Sequence, residues 1–361
     1  MLLLNPGPVT LTERVRRSLV RQDLCHRESE FFDLQDEART RLLAAYALDP
    51  AQWCAVLMTA SGTGAVESML AALVPESGRV LVAENGLYGE RMADICAQYG
   101  IAHVRVAGSW MEPLAFDAIG ARLAKESARG GASRFTHLAV VHHETTTGRL
   151  NDLLPLGELC RAHRISLLVD AVSSFGAEDL DFADGSLAAV AATGGKCLHG
   201  VPGASFVIVR RSALAHAAQR THYLDLGRLA RLQDQRDTPF TPAVHCYYGL
   251  VEALREFEEQ GGRSARHRRY RALAEQVRMG LAALGIEAVL PVADSSVVLR
   301  AYRLPPGLSY ATLHDGLKAA GFVIYAGQRH LLQTLFRIST MGDLGPADIE
   351  RLLASFRRLL R

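Results

Sequence analysis

Lys196 stands in Ala192-Thr193-Gly194-Gly195-Lys196-Cys197, downstream of the apolar run Ile165-Ser166-Leu167-Leu168-Val169 that ends in Asp170. A strand delivering a carboxylate, followed by a glycine-flanked lysine, is the residue set that pyridoxal phosphate chemistry requires. The amine forms a Schiff base with the cofactor aldehyde, and the carboxylate keeps the pyridine nitrogen protonated so that the ring accepts electrons. Taken alone, each feature fits a loop lysine or a strand-capping aspartate better. The company they keep decides.

Ser61-Gly62-Thr63-Gly64 lies between an apolar run and a helical pattern. Free backbone N–H groups and the helix dipole suit a phosphate there, with two hydroxyls as further donors, although the same tetrapeptide also serves as an ordinary turn and N-cap. It is no Walker motif, because the Gly-Lys-Ser/Thr ending is missing. Tyr88, in Asn85-Gly86-Leu87-Tyr88-Gly89, is an aromatic ring placed to stack on a planar cofactor or to pack under a glycine turn. His142-His143-Glu144-Thr145-Thr146-Thr147-Gly148 resembles a metal site only at first glance. Neighbouring strand residues point to opposite faces, so the two imidazoles do not converge, and no metal is expected. Thr145 reads instead as a hydrogen-bonding hydroxyl at a strand end. Thr241, in Phe240-Thr241-Pro242, sits in a proline-rich loop, and Arg337, in Phe336-Arg337-Ile338, is a cation on an apolar strand. Such an arginine takes either a carboxylate or phosphonate ligand or an internal ion-pair partner.

The elements that must position these residues follow a β-α-β rhythm. Non-alternating apolar runs at 54–58, 79–83, 102–106, 138–142, 166–170, 187–191 and 205–209 predict strands covered by helices on both faces. Helical patterns fall at 65–74, 90–99, 116–128 and 156–164, so the predicted class is α/β, a doubly wound, mainly parallel sheet. Such sheets hold ligands at the carboxyl ends of their strands, where Ser61, Glu144 and Asp170 lie. A helix near 244–260, Gly261-Gly262 and a basic helix over 264–284 lead into a looser alternation. Strands are predicted there at 287–290, 296–300, 322–325 and 335–339, with helices at 310–320 and 346–360. The predicted division is an N-terminal segment 1–12, a large domain 13–260 and a small α+β domain 261–361.

A chain of 361 residues, 49% hydrophobic and 22% charged, has the length and balance for two globular domains. A net charge of +2 and the reading of the 263–271 basic cluster as a solvated helix face give no reason to expect nucleic acid. Three leucines before Asn5-Pro6-Gly7 are too few for a signal peptide, and no apolar run approaches a membrane span. Six scattered cysteines without C-x-x-C pairs predict a reduced, cytoplasmic protein.

Several long stretches, in order, resemble the class V (fold type I) pyridoxal phosphate aminotransferases. Asn5-Pro6-Gly7-Pro8, His143 to Gly148, Val169 to Gly176, Lys196 to Gly203, Phe240-Thr241-Pro242, Gly321 to Tyr325 and Phe336-Arg337-Ile338 carry the match, most of them to the branch acting on 2-aminoethylphosphonate. The resemblance implies a seven-stranded, mainly parallel large-domain sheet with a small C-terminal α+β domain, and a homodimer with active sites at the subunit interface. It implies transfer of an amino group between 2-aminoethylphosphonate and pyruvate. Lys196 would hold the cofactor as an internal aldimine and Asp170 would pair with the pyridinium. Ser61, Gly62 and Thr63 would bind the phosphate, with Thr241 from the other subunit. Tyr88 would stack on the ring, Thr145 would bond near its 3-oxygen, and Arg337 would bind the substrate acid group beside Pro6 and Gly7.

Four segments depart from that branch. Cys25-His26-Arg27 resembles alanine/serine–glyoxylate aminotransferases, and Arg27 would either bind a second anionic group or form an interface ion pair. Thr193-Gly194-Gly195 replaces a Ser-Asn approach to the lysine, Ala326-Gly327-Gln328 replaces Pro-Gly-Lys, and Ser339-Thr340-Met341-Gly342 replaces a glycine-containing run. These positions flank the substrate pocket, so an alanine/serine–glyoxylate transaminase, or one for a related aminophosphonate, is the alternative.

Overall fold

The chain opens with β1 (Leu2–Leu3), α1 (Glu13–Ser18) and α2 (Ser29–Ala44) before its first long strand, β2 (Trp53–Ala60). In this computed structural model, which describes residues 1–129 and 134–360, strand and helix then alternate. The order is α3 (Gly62–Leu73), β3 (Arg79–Glu84), α4 (Leu87–Gln98), β4 (Ala102–Ala107), α5 (Phe116–Arg129) and β5 (His137–Val141). A short pair, β6 (His143–Glu144) and β7 (Arg149–Leu150), precedes α6 (Leu154–His163), β8 (Ser166–Asp170), β9 (Leu187–Thr193) and β10 (Gly203–Arg210). Helices α7 (Arg211–Leu214), α8 (Leu226–Asp234) and α9 (Val244–Glu259) follow.

The long strands form one seven-stranded sheet in the order β2-β10-β9-β8-β5-β3-β4. Its β4-β3-β5-β8-β9 neighbours are parallel, while β10 runs antiparallel to both β9 and β2. No helix separates β9 from β10, so that link lacks the crossover a parallel pair needs. Both faces are buried except along the edge strand β4. Trp53, Ala55 and Leu57 of β2 join Phe31, Leu42, Leu123, Leu156 and Leu254 on one side. Cys54, Val56 and Met58 join Met69, Met92 and Leu229 on the other. Period-two alternation therefore persists inside strands that read as continuous apolar runs.

The remainder comprises α10 (Gly262–Ala282), β11 (Leu299–Arg303), α11 (Tyr310–Ala319), β12 (Phe322–Val323), β13 (Tyr325–Ala326), β14 (Leu335–Ser339) and α12 (Pro346–Leu359). Strands β11, β14 and β13 make an antiparallel sheet packed through Phe336 and Ile338 on Val277, Leu313, Ile349 and Phe356. Leu4 shares this core, and β1 pairs in parallel with β12 through Leu2 and Phe322. The N-terminus is thus held on the C-terminal unit before it passes to the large sheet.

The strand expected at 287–290 does not form. Ala288 makes an isolated bridge to Tyr302, and Pro291 lacks the N–H that would continue a ladder. The strand expected at 296–300 is displaced to Leu299–Arg303. The run expected at 322–325 divides, because Phe322–Val323 pairs with β1 whereas Tyr325–Ala326 pairs with β14. Sequence reading also passed over α2, although Phe31, Leu34, Ala38 and Leu42 recur at helical spacing on its buried face.

Candidate active site

Lys196 is set by the link between β9 and β10. Gly194 N–H bonds the Ala204 carbonyl at 2.9 Å and Gly200 N–H returns to the Gly194 carbonyl at 2.8 Å, closing a tight turn. The lysine Nζ meets the carbonyl of Pro6. Gly7, with φ of +113°, lies against the same side chain, and a Cβ there would come within 2.8 Å of Lys196 Cδ. Burial lowers the Lys196 pKa to about 8, with the charges of Arg337 and Arg91 acting in the same direction and those of Cys197 and Asp170 opposing it.

Asp170 ends β8 and lines the same cavity, of about 190 Å³, together with Ser61, Gly62, Thr63, Tyr88 and Lys196. One carboxylate oxygen accepts the Val172 N–H at 2.9 Å. Burial raises its pKa to about 6, a cost to the carboxylate charge that a protonated ring nitrogen beside it would offset.

Ser61 is the N-cap of α3, which leaves the N–H groups of Gly62 and Thr63 ahead of the first intrahelical acceptor. A side chain at position 62 has no room, since a Cβ would lie 2.5 Å from Val172 Cγ1. Tyr88 sits in the first turn of α4, and that turn is fastened by Glu144. The buried Glu144 carboxylate accepts N–H bonds from Tyr88 at 3.1 Å, Gly89 at 3.3 Å and Thr146 at 3.2 Å. Burial raises its pKa to about 7 despite these donors. Sequence reading gave Glu144 no role beyond its motif. A carboxylate at the amino end of a helix is a recognisable signal, but only the fold brings these two segments together.

Arg337 lies on β14 and is 3% exposed. Its guanidinium bonds neutral acceptors: the carbonyls of Ala326 and Thr145, each at 2.9 Å, and Gln328 Oε1 at 3.3 Å. Among the described residues it makes no ion pair, so no carboxylate bonds its buried charge directly. Thr145 is buried and linked to Arg337 through its backbone.

Six expected site residues do not line this cavity within one chain: Pro6 and Gly7 abut Lys196, Arg337 bonds the Thr145 carbonyl, and Thr241 and Arg27 stand apart. Thr241 is exposed, beside Thr59, Tyr223 and Phe240. Arg27 is half exposed, and its guanidinium bonds Asp237 at 2.9 Å and the Thr238 carbonyl at 2.7 Å. Its charge is engaged within its own chain, as an intrachain ion pair. His142 and His143 bond separate partners: His142 Nδ1 lies 3.0 Å from Ser174 Oγ and His143 Nδ1 lies 3.1 Å from the Ser173 carbonyl. Among the described residues no group of three His, Cys, Asp or Glu could hold a metal ion. Arg91 lines the cavity and was missed by sequence reading; its signal is the i, i+3 spacing from Tyr88 on α4.

Comparison with known proteins shows the family. The Aminotransferase class-V family profile matches residues 19–332. A 2-aminoethylphosphonate–pyruvate transaminase of Aeromonas hydrophila subsp. hydrophila is 37% identical, covering 98% of this chain and 93% of its own. A transaminase of the same name from Burkholderia thailandensis is 36% identical, with coverage of 100% and 96%. Among solved structures, an alanine–glyoxylate aminotransferase from Nostoc sp. superposes with a TM-score of 0.91 at 25% identity, covering 100% of this chain and 95% of its own.

Proposed function

The chain belongs to the class-V aminotransferases, and from that premise we propose that it transfers an amino group between 2-aminoethylphosphonate and pyruvate, giving phosphonoacetaldehyde and alanine. The fold is that of the fold type I enzymes, and pyridoxal 5'-phosphate is the cofactor. The residues present fit it: one cavity brings together the Lys196 amine, the Asp170 carboxylate and the open amino end of α3. This convergence carries the reading.

Lys196 would hold the cofactor covalently through Nζ, Asp170 would pair with its ring nitrogen, and Ser61, Gly62 and Thr63 would take its phosphate. Tyr88 would lie on the ring and Thr145 near its 3-oxygen. When bound, the cofactor supplies a ring that accepts the electron pair left as a proton departs the carbon bearing nitrogen. Lys196 Nζ, released when the donor amine replaces it, would move that proton, a task its lowered pKa suits. Asp170 would keep the ring nitrogen protonated. Arg337 would bind the phosphonate of one substrate and the carboxylate of the other, while Pro6 and Gly7 close the lysine side of the pocket. Thr241 would reach the phosphate of the partner subunit in a homodimer. The division at 1–12, 13–260 and 261–361 is proposed on the same basis, and the six unpaired cysteines support a reducing, cytoplasmic setting.

Purified protein is expected to show the visible absorption band of lysine-bound cofactor, and Lys196→Ala to lack it. A colourless wild type indifferent to added cofactor would sink the enzyme reading. Half-reactions with 2-aminoethylphosphonate, alanine and serine, followed by bleaching of that band, test the substrate. Bleaching by alanine and serine but not by 2-aminoethylphosphonate would favour the alanine/serine–glyoxylate alternative.

A further inference from the structure

Arg91 is a cation without an assigned task. It projects from the second turn of α4, its Nη1 donates to Thr63 Oγ1 at 3.2 Å, and its Cζ lies 4.6 Å from the centroid of the Tyr88 ring. Among the described residues it makes no ion pair. The Asp170 carboxylate lines the same cavity and feels the Arg91 charge without forming an ion pair with it, and the other neighbouring carboxylates are engaged elsewhere. Glu84 binds Arg105, Glu90 accepts from Trp110 Nε1, and Glu144 binds the first turn of α4. A guanidinium lining a cavity with only a hydroxyl and a ring as partners retains donors for an anion. Thr63 Oγ1 accepts from Arg91, so its own proton is free to point elsewhere. Beside it lie the unbonded N–H groups at the start of α3, which alone carry only partial charge.

Resting on the cofactor reading above, we propose that Arg91 is a cofactor-binding residue: its guanidinium, through Thr63 and directly, supplies the full positive charge of the phosphate cradle. A helix start and two hydroxyls select any small anion weakly, whereas a charged donor doubles the strength of such bonds and favours the dianion. The Tyr88 ring, on which Arg91 rests, keeps the guanidinium at the wall of the pocket.

The test compares pyridoxal 5'-phosphate with pyridoxal, which has the same aldehyde and ring but no phosphate. Both are titrated into cofactor-free protein and followed by the lysine-dependent absorption band. Arg91→Gln is expected to weaken pyridoxal phosphate about 10- to 100-fold while leaving pyridoxal within about twofold of wild type. Equal losses for both ligands would mean that Arg91 acts only on the ring through Tyr88, and no loss for either would mean that it is a surface cation; each overturns the proposal. Should Arg91→Gln not fold, Arg91→Lys carries the same comparison, with a severalfold loss confined to the phosphorylated ligand expected and unchanged affinity for both overturning it. A wild type that takes up neither ligand would instead strike the cofactor reading itself.

Discussion

The Lys196 amine is buried against Pro6 and Gly7, and burial disfavours its charged form, bringing the pKa from 10.5 to about 8. Between those values the unfolded chain binds more protons than the folded one, so stability rises with pH across that window. Below about pH 8 the fold carries the cost of a buried cation. Lys196→Met should therefore stabilise the cofactor-free protein at pH 7 by about 2–3 kcal/mol, a gain shrinking to less than about 1 kcal/mol near pH 10.5. Thermal melts of the two cofactor-free proteins across that range check it. The same shift sets the chemistry: the rate of covalent cofactor uptake, measured by stopped-flow absorbance, should climb as pH rises through about 8, because only the neutral amine attacks. Arg337 answers to a different measurement. Its guanidinium has only neutral partners, so Arg337→Ala should raise KM for the acid substrates roughly 100-fold while cofactor affinity stays within about twofold. Loss of cofactor instead would show that Arg337 is misassigned.

At the scale of elements, the cavity wall depends on close approach between the start of α3 and the loop after β8. A Cβ on Gly62 would come within 2.5 Å of Val172 Cγ1, and Val172 is the residue whose N–H holds Asp170. Valine has no flexible end to move aside, so Gly62→Ala should cost about 1–3 kcal/mol in stability and displace the Asp170 carboxylate. A melting curve together with a cofactor titration would detect both effects; an unchanged titration would show that the cradle tolerates a wider α3. The strands that carry these residues were legible because buried parallel strands read as apolar runs, and all seven predicted runs lie in the seven-stranded sheet. Past Gly261 legibility fell, because short strands take their identity from partners distant in sequence. Phe322–Val323 belongs to β1 and Tyr325–Ala326 to β14, a division no local pattern announces.

For the whole molecule, the exposed Thr241 and the cavity it does not reach within its own chain give the proposed homodimer a definite test. Lys196→Ala chains mixed with Thr241→Ala chains form hybrids in which one site carries both changes and the other neither. If Thr241 serves the partner subunit's site, mixing should restore activity well above either variant alone. If it serves its own, every hybrid site keeps a defect and no rescue appears. Sedimentation of the wild type at twice the mass of one chain is expected alongside.

The sequence by itself pointed to the cofactor, since Lys196, Asp170 and the Ser61-Gly62-Thr63 turn are chemical types whose order along alternating strands and helices suits a shared strand-end site, and to the reaction class through the stretches that resemble the class V aminotransferases. What only tertiary structure decided is which groups are unpaired or spent. Arg27 and Arg337 look alike in sequence, yet one is neutralised by Asp237 near the surface and the other is buried among neutral oxygens. Glu144 and Arg91 acquire roles only because β6 and the start of α3 converge on the first turns of α4. Charge compensation and burial are properties of neighbours in space, and the chain does not state those neighbours until it folds.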